Sequence, residues 1–189
     1  MYIYKNANLS FDGKHRFDLI RKWDEGKVCN FIMLNPSTGD HEKDDPTIRR
    51  CVHFSKKLGC GKLIVTNLFS YRTYNPKDLL TIDVNRFQAK RDFFISKHAI
   101  ESDVIVVAWS NHGRLRGRDL EVLKLLNQLN CSLLCLETNK NGTPRHPLYV
   151  KGMDNYIEWV RQNWVSESVT VPFALLMIVY SFVVYKKEG

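Results

Sequence analysis

Val28-Cys29-Asn30-Phe31-Ile32-Met33-Leu34 runs without a break into Asn35-Pro36-Ser37-Thr38. The first seven residues are mostly apolar and barely alternate, the pattern of a strand covered on both faces. Pro36 ends it, because proline cannot donate to a ladder. A neutral amide, Asn35, is left where the chain leaves the strand. In α/β proteins that end of the sheet binds ligands. Residues 62–68, 103–109 and 132–137 have the same character and read as three further strands.

Helical patterns separate these runs. Asp45 suits an N-cap and Pro46 the first helical position, with apolar residues at Ile48, Val52 and Phe54, and Leu58-Gly59 as the close. Further helices are predicted over residues 84–101, 117–129 and 154–164. Regular alternation of strand and helix predicts an α/β fold: a three-layer α/β/α sandwich on a central four-stranded parallel sheet. Asp12-Gly13, between residues 9–11 and 15–23, reads as a hairpin or a strand pair on the edge.

The chain has 189 residues, enough for one α/β domain and too few for two ordinary ones. Residues 1–164 read as that domain. Residues 165–189 form an apolar tail, for which a membrane anchor, a segment packed on the domain and a loose appendage all remain open. The net charge of +8 favours a polyanionic partner such as DNA, although many basic proteins bind none. The five cysteines show no CxxC and no zinc spacing, so free thiols in a reducing compartment are expected. The first six residues do not resemble a signal peptide. A cytoplasmic monomer with no cofactor and no metal is the expectation.

Polar residues cluster after every predicted strand. Asn35 and Ser37 follow the first. Asn67, Phe69, Tyr71 and Arg72 follow the second and offer an amide, two rings and a guanidinium, a set able to stack on and read a base, or equally core aromatics beside a surface arginine. Asn111 and His112 follow the third, next to the basic loop of Arg114, Arg116 and Arg118, which suits phosphate contacts or plain solvation. Arg145 and His146 follow the fourth, with His146 held between Arg145 and Pro147. Asp40, Asp44 and Asp45 raise a minority reading as a metal-dependent nuclease. An amide and an imidazole together fit stabilisation of a charge-separated transition state better than proton abstraction by a carboxylate.

The motif order resembles the uracil-DNA glycosylase superfamily, in which the first strand ends in G-x-[N/D]-P and a late loop carries H-P-S. Asn35-Pro36 and His146-Pro147 match those cores, and Asn67 resembles a base-reading asparagine. Met33 replaces the glycine, and Ser37 stands where glycine or tyrosine is usual. Over residues 9–150 the chain also closely resembles a bacterial and phage family of unassigned function with the pattern MLNPST…DPTIRR…NLF…RHPLY. The resemblance implies DNA N-glycosylase activity that leaves an abasic site. Asn35 and His146 would be catalytic. Ser37, Asn67, Phe69, Tyr71 and Asn111 would bind the base. Arg72, His112, Arg114, Arg116, Arg118 and Arg145 would bind DNA. A serine in place of the tyrosine that blocks the C5 edge of the base opens space for 5-substituted pyrimidines. These include glucosylated hydroxymethylcytosine of phage DNA, which would make this an antiviral enzyme. Uracil repair and a non-catalytic nucleic-acid or nucleotide-binding module are the alternatives.

Overall fold

A computed structural model describes residues 1–152 and 156–159. The described residues form an α/β fold with a mixed sheet of seven strands in the order β1-β2-β4-β3-β5-β6-β7 and three α-helices. The strands are β1 (Tyr4–Leu9), β2 (Arg16–Lys22), β3 (Lys27–Met33), β4 (Cys60–Asn67), β5 (Val104–Val107), β6 (Leu134–Cys135) and β7 (Ile157–Glu158). The helices are α1 (Pro46–Lys57), α2 (Gln88–Ile100) and α3 (Arg118–Gln128).

The expected four-stranded parallel sheet is therefore replaced by a wider, mixed one. Parallel pairs join β3 to β4, β3 to β5 and β5 to β6, while β1–β2, β2–β4 and β6–β7 are antiparallel. The strand pair expected on either side of Asp12-Gly13 is present as β1 and β2 at one end of the sheet. Arg16, Asp18 and Arg21 interrupt the apolar run of β2, yet all three are buried and hydrogen-bonded. The predicted helix over 154–164 is overturned in part: Ile157 and Glu158 pair with β6 as an edge strand. Residues 154, 155 and 160–164 of that segment, and the tail at 165–189, lie outside the described residues. Among the described residues no helix is long and apolar enough to cross a membrane.

The sheet separates two cores. Cys29, Phe31 and Met33 of β3 meet Ile48, Cys51, Val52 and Phe54 of α1 on one face. Ile32 and Leu34 meet Ile95 and Ala99 of α2 and Val122, Leu123 and Leu126 of α3 on the other. This is the period-two alternation of a strand buried on both sides. Helix α1 begins as the sequence predicts, with the Asp45 side chain accepting from the Ile48 N–H at 2.8 Å and Pro46 in the first turn. Helix α2 starts four residues later than predicted, because Phe87 at φ 65° turns the chain just before it.

Candidate active site

The chain leaves β3 through α1 to β4 on one side, then crosses through α2 to β5 on the other. Neighbouring connections therefore diverge at the carboxyl end of β3, and a crevice opens there. A cleft of about 550 Å³ occupies this point, lined by Asn35, Ser37, Asn67, Asn111, His112 and His146 among others. Six of the residues singled out in the sequence, from all four predicted strand ends, meet in one cavity.

Three arginines fasten the loop that forms one wall. Arg72 donates to the carbonyls of Ser37 (3.1 Å) and Thr38 (3.2 Å). Arg16 donates to Gly39 at 2.7 Å. Arg21 donates to the carbonyls of Asp40 and Lys43 and pairs with Asp44 at 2.7 Å. The opposite wall is tied to α1 by Arg50, which donates to Val150 O at 2.7 Å and packs its guanidinium over Phe54. Preorganised walls of this kind suit a site whose groups must not rearrange during reaction.

Asn35 is fixed by its own amide: Nδ2 donates to Thr73 O at 2.7 Å and to Pro36 O at 3.0 Å. Its Oδ1 has no donor among the described residues and is left to accept. His146 heads the 3₁₀ turn Pro147–Tyr149, and its Nδ1 accepts from the Leu148 N–H at 3.3 Å. An accepting Nδ1 leaves the ring proton on Nε2. Burial pushes the imidazole pKa down to about 4, against the opposing pull of the Asp45 carboxylate, so the ring is neutral at pH 7. The cleft thus holds a neutral N–H donor and a fixed amide acceptor. Nearby, Arg16 is buried and donates to Asn67 Oδ1 at 3.4 Å; burial lowers its pKa to about 10.

Several expected site residues lie elsewhere. Phe69 is corrected from base binding to core: it is 1% exposed, with the Arg91 guanidinium 5.9 Å from its ring. Tyr71 packs edge-on against His15 at 5.5 Å rather than facing the cleft. Arg72 is a loop fastener, as above, not a free DNA contact. Arg118 is corrected from DNA binding to structure. It is 4% exposed, donates to Leu68 O at 3.0 Å, and pairs with Asp92 and Glu121. Arg145 pairs with Glu137 at 2.9 Å outside the cleft. Arg114 and Arg116 remain exposed on the 3₁₀ segment Asn111–Gly117. Asp40 accepts from the N–H groups of Glu42 and Lys43, and Asp44 pairs with Arg21. Among the described residues no three His, Cys, Asp or Glu groups converge as a metal set.

The sequence reading missed Arg16, which is hidden within a charged strand, and the exposed rings of Tyr74 and Tyr149 on the cleft. Trp109 forms part of the floor, 1% exposed, with Trp159 edge-on at 5.7 Å. Any side chain at Gly113 would collide with the Trp109 ring, which explains the glycine in Asn111-His112-Gly113.

Residues 16–148 match the profile of a family described as "protein of unknown function (DUF1643)". The chain belongs to this family. Comparison with curated proteins and with solved structures gives no match. The match spans most of what builds the cleft, from Arg16 at its start to Leu148 at its end. Within the matched residues, Asp45 caps α1, Ile48 fills the core, and Arg50 fastens the loop that carries His146.

Ser110, on the cleft wall, has φ 60° and ψ −164°, a region that is essentially glycine-only. Holding it there costs of order 1–3 kcal/mol. Ser110→Gly is expected to raise stability by about 1 kcal/mol after the entropy cost of glycine. Thermal unfolding checks this, and a lowered midpoint would mean that the serine is not strained.

Proposed function

We propose that this chain is a monofunctional DNA N-glycosylase that excises a modified pyrimidine and leaves an abasic site, by a mechanism like that of the uracil-DNA glycosylases. The observation that carries the reading is a neutral His146, with Nε2–H left to donate, in the same cleft as an Asn35 amide whose Oδ1 is left to accept. Breaking the C1′–N bond sends the electron pair to the base and positive charge to the sugar. His146 donates to a base oxygen as that charge grows. Asn35 Oδ1 accepts from a water and aims its lone pair at C1′. The water adds to C1′ and loses a proton to solvent, and the base is protonated after release. A donor that stays neutral suits this task, since it needs no proton transfer in the transition state. The base must leave the stack to reach the cleft, at a cost of a few kcal/mol.

The cleft volume of about 550 Å³ and the small Ser37 on its wall favour a base with a large C5 substituent, such as glucosylated hydroxymethylcytosine of phage DNA. The test is to incubate the full chain, in EDTA, with DNA carrying that base and with uracil DNA. Released base is read by mass spectrometry and abasic sites by alkali. No release from either DNA overturns the proposal, and faster release of uracil makes repair the function.

The exposed Arg114 and Arg116 are the proposed phosphate-binding side chains. Replacing both with glutamine is expected to weaken DNA binding and reduce the slope of log affinity against log salt by about one unit per arginine that meets a phosphate. An unchanged slope in a filter-binding series would return the loop to solvent.

A further inference from the structure

Four arginines of the described chain are buried: Arg16, Arg21, Arg91 and Arg118. Three have carboxylate partners. Arg21 pairs with Asp44, Arg91 with Asp92, and Arg118 with Asp92 and Glu121. Arg16 makes no ion pair among the described residues. Two of its five N–H groups are used, one by Gly39 O and one by Asn67 Oδ1, and its Nε is buried without any partner. It is 2% exposed and stands in the cleft wall.

Asp45 makes no ion pair or hydrogen bond with it, although its carboxylate is close enough to favour the Arg16 charge. The two side chains converge at Gly39, where an added β-carbon would lie 3.1 Å from Asp45 Oδ2 and 3.3 Å from Arg16 Nη1. Both Asp45 oxygens are engaged, Oδ1 by the Ile48 N–H and Oδ2 by the Gly39 N–H. A buried cation with no direct ion pair is expensive to keep, which points to a use for its charge. Asn67 turns its Oδ1 to Arg16, which leaves Nδ2 as the group it can offer the cleft. The inner wall therefore sets donors and the Arg16 charge beside the Nε2–H of His146, with the one carboxylate there among the described residues, Asp45, already held by two backbone N–H groups.

We propose that Arg16 is the electrostatic seat of the departing base. It meets the negative charge that builds on the pyrimidine as the glycosidic bond breaks, and it adapts the cleft to bases that leave poorly. This rests on the glycosylase reading. As the C1′–N1 bond breaks, its electron pair spreads over N1, O2 and N3 of the ring, and Arg16 stabilises that anion together with His146. Cytosine-type bases form less stable anions than uracil-type bases, so they gain more from a fixed cation.

Two measurements on the full chain test this. In the first, calorimetric titration compares 5-nitrouracil, an anion at neutral pH, with neutral thymine and with inorganic phosphate. The wild type is expected to bind 5-nitrouracil at least tenfold more tightly than either. Arg16→Gln is expected to lose that preference, and Arg16→Lys to keep part of it. A wild type without the preference overturns the proposal, whether or not any variant folds. Phosphate bound as tightly as 5-nitrouracil also overturns it, and makes Arg16 a phosphate contact. In the second, base release is compared between the wild type and Arg16→Gln over DNAs whose bases differ in acidity, from 5-fluorouracil to cytosine types. The rate ratio is expected to grow as the base leaves less readily. A constant ratio marks a merely structural arginine and overturns the proposal. If no DNA yields a base but the anion preference holds and depends on Arg16, the glycosylase reading fails and the anion seat stands. If base release proceeds and Arg16→Gln changes nothing, only the anion seat fails.

Discussion

His146→Ala and Asn35→Ala are each expected to lower base release by about 10²–10³-fold, the typical loss for one preorganised group aimed at developing charge. The two losses have different chemistry. Without His146 the departing base loses its neutral donor, so the deficit is expected to shrink on substrates with more acidic bases. Without Asn35 the water loses its anchor, and the deficit is expected to be similar for all bases. Folding should change little, because Asn35 sits beyond β3 and His146 ahead of a short 3₁₀ turn. Single-turnover release, with thermal unfolding as control, checks both. Because the imidazole pKa is pushed down to about 4, the His146-dependent rate should stay flat from pH 8 to below pH 6. A fall in rate centred near the ordinary histidine value would show that His146 works as a charged acid instead.

The site was more legible in the sequence than the sheet. Asn35, Asn67, Asn111 and His146 announce themselves as polar residues following apolar runs, and strand-end position alone predicts that they converge. What failed was the reading of charge. Arg118 lies in a run with Arg114 and Arg116, and although the helix predicted over 117–129 takes it in, nothing local reveals that Asp92 waits across the packing face. Residues 15–23 read as part of an edge pair, but nothing local shows that Arg16, Asp18 and Arg21 are each buried by a partner far away in sequence. Phe69 looks the same as a base-stacking ring until the backbone turns it inward. The edge strand at Ile157–Glu158 is two residues long, too short for any period to declare. Long-range pairing decides all of these, and periodicity carries only local information.

Breaking the buried pair between Asp18 and His98 is expected to have the largest effect on stability. His98 Nε2 lies 2.8 Å from Asp18 Oδ2, both side chains are 1% exposed, and the pair fastens α2 to β2. Asn8 donates to both Asp18 oxygens, and Glu101 faces His98 Nδ1 at 3.2 Å. Burial alone would lower the His98 pKa, but the hydrogen bonds its ring donates to Asp18 and Glu101 outweigh it and the net shift is upward from 6.5. Burial would likewise raise Asp18, but His98 and Asn8 hold it below 3.8. The signs fix the pH window. The His98 contribution is fully present below 6.5 and lost as pH rises through its raised folded value. The Asp18 contribution is present above 3.8 and lost as pH falls through its lowered folded value. The pair therefore stabilises most between those two values and less at pH 8. Asp18→Ala leaves the buried His98 Nε2 without its partner and is expected to cost about 3–5 kcal/mol near pH 6, the usual penalty for breaking a buried ion pair. The double variant Asp18→Ala/His98→Ala should cost clearly less than the sum of the single changes, since no charge is left buried. Chemical denaturation of the four proteins at pH 6 and pH 8 makes the comparison. Additive losses that do not depend on pH would mean that Asp18 and His98 act only by packing, and that the charges shared between them do not hold the hairpin to α2.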